Sequence, residues 1–210
     1  MKDKTSIICI LDRSGSMSYL VNDAIGGFNT FLKEQKAISG EAEMTIALFD
    51  DKYDVLANGE NIQEIEPLNA KTYVPRGMTA LYDAIGKTIN EAGTRFSAMP
   101  ESERPNKVIC VILTDGEENS SHEFTREKIF EMTKVQQEKY NWEFIYLGSN
   151  QDAMAVGGSI GVNVNNCVNY AASGIGTADA YSTTSRCVAS YRATGKTQVN
   201  DSGSDDGIIQ

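Results

Sequence analysis

Oxygen-bearing side chains stand at alternate positions directly after the first apolar run of the sequence. Residues 5–11 (TSIICIL) are followed by Asp12, Ser14 and Ser16. One carboxylate and two hydroxyls at this spacing offer three oxygen ligands to a hard cation such as Mg²⁺ or Mn²⁺. The spacing is not that of a phosphate-binding loop, because it lacks the glycine pattern and begins with a carboxylate. The alternative is a structural role, in which Ser16 or Ser18 caps the next helix and Asp12 tightens a turn.

Two later segments carry matching side chains. Thr79 stands at the start of a strongly periodic helical segment, and Asp115 directly follows a second apolar run, residues 107–114 (KVICVILT). If this run and residues 5–11 form neighbouring parallel strands, both strands end at the same edge of the sheet, where ligands bind in open α/β folds. Asp12 and Asp115 then lie together, and Thr79 reaches them from a third loop.

Apolar runs alternate with helical periodicity along the chain, which predicts an α/β fold: an open sheet of mostly parallel strands with helices on both faces. Asp50-Asp51-Lys52 is too short for a crossover, so the strands on either side of it form a hairpin, with one antiparallel strand at the edge. The predicted strands are 5–11, 43–49, 53–57, 107–114, 142–147 and 161–168. The predicted helices are 20–32, 81–92, 123–139, 151–159 and 176–192. We expect one domain over 1–193 and a polar, flexible tail over 194–210.

Composition narrows the classes of function. The chain has 210 residues with 19 basic and 29 acidic side chains, a net charge of −10 that disfavours nucleic acid and anionic lipid as partners. His122 is the single histidine, so serine–histidine triads and multi-histidine zinc sites would all depend on it. No apolar run approaches the roughly 18 residues of a membrane span. The four cysteines form no C-x-x-C pair, and the first residues do not resemble a signal peptide, so we expect reduced thiols in a cytoplasmic protein.

Asp12, Ser14, Ser16, Thr79 and Asp115 together resemble the metal-ion-dependent adhesion site of the von Willebrand factor type A (vWA) domain. The pattern of that family is D-x-S-x-S, then a threonine, then an aspartate that ends a later strand, and the resemblance extends over about residues 4–193. It implies a Rossmann-like sheet of five parallel strands and one antiparallel edge strand. It also implies that the three hydroxyls touch the metal, whereas the two aspartates act mostly through water.

The resemblance implies a metal-dependent protein-binding module and not an enzyme. Neutral hydroxyl ligands leave a divalent cation (Mg²⁺ or Mn²⁺) electron-poor, and a Glu or Asp of a partner protein can fill its open position. Two alternatives stay open: a Mg²⁺-dependent hydrolase or phosphotransferase using the same cation, and an adaptor for an AAA-type ATPase assembly. Against the hydrolase, the site offers no general base beyond its two aspartates. Candidates for a partner-binding rim around the site are Arg13, Met17, Tyr19, Arg76, Met78 and Glu118.

Overall fold

In the part of the chain that the structure describes, six strands form one sheet, and five α-helices cover its two faces. The computed structural model describes residues 2–149 and 151–197. The strands are β1 (Lys2–Asp12), β2 (Glu41–Phe49), β3 (Tyr53–Asn61), β4 (Pro105–Thr114), β5 (Trp142–Ser149) and β6 (Cys167–Tyr170). The helices are α1 (Val21–Ala37), α2 (Leu81–Ala98), α3 (Arg126–Tyr140), α4 (Ala153–Ser159) and α5 (Gly174–Thr194).

The strand order is β3-β2-β1-β4-β5-β6. All neighbours pair in parallel except β2 and β3, which form the antiparallel hairpin at one edge. The predicted architecture is therefore confirmed. Ile10 of β1 lies opposite Ile112 of β4, so these two central strands end side by side. Asp12 and Asp115 are consequently brought to the same edge, which we call the carboxyl edge of the sheet.

The apolar runs of β1 and β4 are buried on both faces because each face carries its own layer of helices. One core packs Ile7, Cys9 and Leu11 against α1 and α5. The other packs Ile8 and Ile10 against α2, α3 and α4. Alternate residues of a strand point to opposite faces of the sheet. A strand between two cores therefore has apolar residues at nearly every position.

Several predicted boundaries shift because caps and glycines, not apolar periodicity, end the elements. The strand predicted over 161–168 is wrong for most of its length: Gly161 has a positive φ of 85°, Val164–Asn166 form a 3₁₀ turn, and β6 begins only at Cys167. Helix α3 begins after Thr125, whose hydroxyl accepts from the Lys128 amide, and not at 123. In the predicted tail, residues 198–210 lie outside the described residues, and α5 runs to Thr194 before Gly195 ends it.

All four cysteines are buried (Cys9, Cys110, Cys167 and Cys187), and Cys9, Cys110 and Cys167 are free thiols. Burial raises the pKa of each thiol, to about 12 for Cys9 and about 11 for Cys167, so these groups are inert apolar side chains at neutral pH. Within the described ranges, none of the helices has the length and apolar character needed to cross a bilayer.

Candidate metal centre

The loop after β1 folds its polar side chains toward one point. Asp12 is fully buried, and its Oδ1 accepts a hydrogen bond of 2.7 Å from the Ser14 amide. The hydroxyls of Ser14 and Ser16 lie 3.0 Å apart. The Ser16 hydroxyl donates to Asp115 Oδ1 across 2.6 Å, so the ends of β1 and β4 are joined through the very side chains predicted to form the site.

Thr79 completes the group from the segment that precedes α2. A β-carbon built on Gly116 would lie 3.0 Å from Thr79 Oγ1, 3.5 Å from Ser16 Oγ and 3.8 Å from Asp12 Oδ2. Oxygens from three separate segments therefore surround the small space that glycine leaves open. Gly15 and Gly77 hold the segments together, since the Gly15 amide donates to the Gly77 carbonyl across 3.1 Å.

The two aspartates are buried without a cationic side chain. Burial raises the pKa of Asp12 to about 6, against the opposing effect of the hydrogen bonds from Thr114 and Ser14. Burial raises the pKa of Asp115 as well, with the Ser16 hydroxyl bond opposing it. Among the described residues, no ion pair includes either carboxylate. Two neighbouring buried carboxylates without a counter-charge are a costly arrangement unless a cation joins them.

A divalent cation fits this donor set. Asp115 Oδ2 is buried and accepts no hydrogen bond, which leaves a buried carboxylate oxygen unsatisfied. Within the described part of the chain, no group of three His, Cys, Asp or Glu side chains could hold a metal. A cation here would therefore depend on the hydroxyls of Ser14, Ser16 and Thr79 together with the two aspartates, an all-oxygen set suited to a hard ion.

Next to the site, a second acidic pair is fully matched by arginines. Arg13 Nε and Arg76 Nε each lie 2.9 Å from Asp50 Oδ2, and both guanidinium groups also contact Asp54. Asp50 is completely buried, and its Oδ1 accepts from the Lys52 amide. This network, which we call the arginine–aspartate cluster, ties the β2–β3 hairpin to the loop that carries the serines.

Two of the six predicted rim residues are not on the surface. Met17 is completely buried, because the Gly15–Tyr19 segment is a 3₁₀ helix with three residues per turn, which puts Met17 and Leu20 on its inner side. Arg13 is only 5% exposed and belongs to the arginine–aspartate cluster. Their assignment to the rim is therefore wrong.

The other four rim residues reach the surface to different degrees. Tyr19 and Met78 are 64% and 55% exposed beside Ser16 and Thr79. The Arg76 side chain is partly exposed but bonded to Asp50 and Asp54. The half-buried Glu118 carboxylate accepts from the backbone amides of Ser120 and Ser121 in its own loop and of Tyr82, so these bonds fix its position.

Supporting residues that sequence reasoning missed hold the backbone around the site. The Tyr73 hydroxyl donates to the Asp12 carbonyl, and the Tyr170 hydroxyl donates to the Thr114 carbonyl across 3.3 Å. The side-chain oxygen of Asn119 accepts from the Thr79 backbone amide across 2.9 Å. The backbone amide of Asn119 donates to the Thr79 carbonyl. None of these contacts has a local sequence signal, because each joins residues more than 30 positions apart.

The fold can now be compared with solved structures. The vWF domain of the type V pili tip protein Mfa5 from Porphyromonas gingivalis superposes with a TM-score of 0.61 over 94% of this chain and 98% of that one, at 10% identity. The ArnB paralog VWA2 from Sulfolobus acidocaldarius gives a TM-score of 0.53 over 89% of this chain and 45% of its own length, at 19% identity.

The chain has the von Willebrand factor type A fold. A third vWA-like structure, proximal thread matrix protein 1 from the mussel byssus with a zinc-occupied MIDAS motif, matches with a TM-score of 0.58 and 13% identity over 88% of this chain and 46% of its length. This chain thus spans less than half the length of the Sulfolobus and mussel proteins. Neither a protein-family model nor a curated protein matches the sequence.

Proposed function

We propose that this vWA domain is a metal-dependent protein-binding module. A divalent cation, Mg²⁺ or Mn²⁺, would be held by the hydroxyls of Ser14, Ser16 and Thr79, with Asp12 and Asp115 in support. The observation that carries the proposal is Asp115 Oδ2, a buried carboxylate oxygen without a hydrogen-bond donor at the point where the hydroxyls converge. The mussel protein of similar fold has a zinc-occupied MIDAS motif, which supports divalent-cation binding by a domain of this fold.

The proposed ligand of the cation is a Glu or Asp side chain of a partner protein. A cation bound mainly by neutral hydroxyls keeps enough positive charge to attract a carboxylate, even in a protein with a net charge of −10. Tyr19 and Met78 are exposed and lie close in sequence to Ser16 and Thr79, and we include both as partner contacts. An acidic residue flanked by apolar ones is therefore the partner segment that this surface favours.

Binding is favoured over catalysis by the surroundings of the site. The described residues at the carboxyl edge bring no histidine or lysine to the two aspartates that could act as a general base or acid. His122 is exposed, and the contact that ties it to the fold runs through its backbone amide to Asp83. We also propose a cytoplasmic location, which the free, buried thiols of Cys9, Cys110 and Cys167 support.

Calorimetric titration with Mg²⁺ and Mn²⁺ tests the proposal directly. We expect binding by the wild-type domain and its loss in Asp12→Ala, with the circular dichroism spectrum unchanged because the site lies at the edge of the sheet. Asp3→Ala is the matched control, since Asp3 is an exposed aspartate at the opposite end of β1. Metal affinity that is the same in Asp12→Ala and wild type would refute the assignment.

The partner is tested by affinity capture from native lysate with Mg²⁺ or with EDTA. We expect proteins retained only in Mg²⁺ and lost with Asp12→Ala. The hydrolase alternative is tested by assaying the wild type and an Asp115→Asn variant on nucleotides and phosphoesters. Metal-dependent turnover that disappears in a folded Asp115→Asn variant would overturn the binding-module proposal.

A further inference from the structure

The loop between β4 and α3 has little structure of its own, yet it carries Asp115 at its first position. We call residues 115–125 the β4–α3 loop. Its position relative to Thr79 determines how far apart the two metal-site segments lie. The contacts that hold this loop are therefore contacts that shape the metal site.

Asp83, in the first turn of α2, accepts hydrogen bonds from the C-terminal part of this loop. Its Oδ2 accepts from the His122 amide, and its Oδ1 accepts from the amides of Glu123 and Phe124, each at 2.9 Å. The carboxylate is 8% exposed. Three amides from consecutive residues on one buried carboxylate form a strong, charge-assisted attachment between helix and loop.

The loop in turn supplies the cap that α2 lacks. Ala80 stands at the N-cap position and has no side-chain acceptor. The Tyr82 amide donates to Glu118 Oε2 and the Asp83 amide donates to Ser121 Oγ, each at 3.0 Å. Helix and loop thus bond each other reciprocally, in the manner of a capping box whose two halves lie far apart in sequence.

The N-terminus of α2 and the β4–α3 loop, joined by these bonds, both lie next to proposed metal ligands. On the helix side, α2 follows directly from Thr79, whose amide and carbonyl are bonded to Asn119 of the loop. On the loop side, Asp115 accepts from Ser16. We infer that Asp83 is a positioning residue for the metal centre: by binding the β4–α3 loop to α2, it sets the spacing between Thr79 and Asp115.

This inference rests on the proposed metal binding, and its test separates positioning from simple stability. Asp83→Asn places a side-chain NH₂ where one of the three loop amides donates, so the attachment is broken at nearly constant volume. The matched control is Glu43→Gln, because Glu43 is 1% exposed, is paired with Lys4 and Arg95, and lies on β2 toward the opposite edge of the sheet. Both variants lose a buried carboxylate, but only Asp83 contacts the loop.

We expect both variants to unfold at lower denaturant concentration, and only Asp83→Asn to lose Mg²⁺ affinity, by roughly 10-fold or more as for other residues that orient metal ligands. Hydrogen exchange without metal provides a second readout: the amides of 122–124 should be protected in the wild type and in Glu43→Gln, and exchange faster in Asp83→Asn. If Asp83→Asn does not fold, Asn119→Ala removes the side-chain bond between the loop and the Thr79 amide without changing a charge, and a loss of affinity in the same direction is expected.

Three results would overturn the inference. The first is wild-type Mg²⁺ affinity in a folded Asp83→Asn or Asn119→Ala variant. The second is an equal loss of affinity in Glu43→Gln, which would show that affinity merely follows stability. The third is a wild-type domain that binds neither Mg²⁺ nor Mn²⁺. This result refutes the proposed function itself, so the wild type is measured before either variant.

Discussion

Two pairs of aspartates lie side by side at the carboxyl edge and have opposite surroundings. Asp50 and Asp54 share the guanidinium groups of Arg13 and Arg76. Asp12 and Asp115 are contacted by hydroxyls and an amide, and Asp115 keeps one oxygen without a donor. The first pair has its counter-charges within the chain itself, whereas the described residues supply none to the second, where we propose that a cation binds.

Residues that stabilise the fold and residues proposed to bind the metal lie next to each other in the sequence. Arg13 and Ser14 are neighbours, but Arg13 closes the arginine–aspartate cluster and Ser14 faces the metal centre. Changes to the first pair should therefore alter the stability of the fold. Changes to the second should alter metal affinity and leave the metal-free fold as stable or more so.

The largest expected effect is on the arginine–aspartate cluster. Arg13→Met removes the buried partner of Asp50, and breaking a buried ion pair by deleting one member costs about 3 kcal/mol or more of unfolding free energy. Arg76→Met is the control: this side chain is partly exposed and contacts the same two aspartates, so we expect a loss of about 1 kcal/mol or less. Urea denaturation in EDTA measures both. Equal losses would contradict the assignment of Arg13 as the central contact.

For the second pair, we expect a change in the opposite direction. Asp12→Asn should raise the unfolding free energy in EDTA by about 1 kcal/mol, because it removes a charge whose burial is unfavourable. The neutral amide still accepts from the Ser14 amide. In saturating Mg²⁺ the order should reverse, since only the wild type gains stability from the bound cation. A variant that is less stable than wild type in EDTA would show that Asp12 is needed for the fold itself.

A steric test concerns the space around Gly116. In Gly116→Ala the added methyl lies 3.0 Å from Thr79 Oγ1 and occupies the point where the oxygens converge. We expect Mg²⁺ affinity to fall by about 10-fold, which corresponds to about 1.4 kcal/mol, with little change in unfolding in EDTA. Gly26→Ala is the control, because a β-carbon there meets nothing within 4 Å and alanine favours the helix. Unchanged Mg²⁺ affinity in Gly116→Ala would show that the cation binds at another place.

The smallest expected effect is a difference between the pKa values of Asp12 and Asp54 in the metal-free protein. Burial raises the pKa of Asp12 to about 6, whereas the Arg13 guanidinium lowers the pKa of Asp54 below its ordinary value. Lowering the pH from about 6 to about 4 should therefore favour the fold through Asp12, whose carboxyl binds a proton more readily when folded. Asp54 acts in the opposite sense: its contribution is present above the pKa of the unfolded chain and is lost as the pH falls further. Carbon-13 NMR of the carboxyl groups checks both, and equal pKa values would contradict the comparison.

Much of the candidate site's geometry was predictable because Asp12, Ser14, Ser16 and Asp115 closely follow the ends of strongly apolar strands. Continuous Ile and Val runs identified β1 and β4, and the residues immediately after them had to lie at one edge once the strands were neighbours. The short segment Asp50–Lys52 likewise predicted the hairpin of β2 and β3. These features depend on residues close together in the chain, where periodicity and turn length are visible.

The rim and the supporting contacts were not predictable in this way. Met17 was assigned to the surface from its place in the loop, but the 3₁₀ geometry of that loop turns it into the core. Arg13 was expected to face a partner, but its two aspartates stand 37 and 41 positions further along the chain. The polarity of a side chain indicates that it needs partners, and does not say which part of the chain supplies them.

The sequence by itself determined the alternation of strands and helices, the antiparallel hairpin and the identity of the five oxygen-bearing residues, because each depends on local pattern and spacing. Only the tertiary structure decided which charges are matched and which are left for a ligand. Asp83 illustrates the reason. Nothing near it in sequence distinguishes it from an ordinary first-turn aspartate, and its three amide partners lie 39 to 41 positions away. Those bonds exist because packing of α2 against α3 and the sheet brings the loop to the helix, and long-range packing is not encoded in the spacing of neighbouring residues.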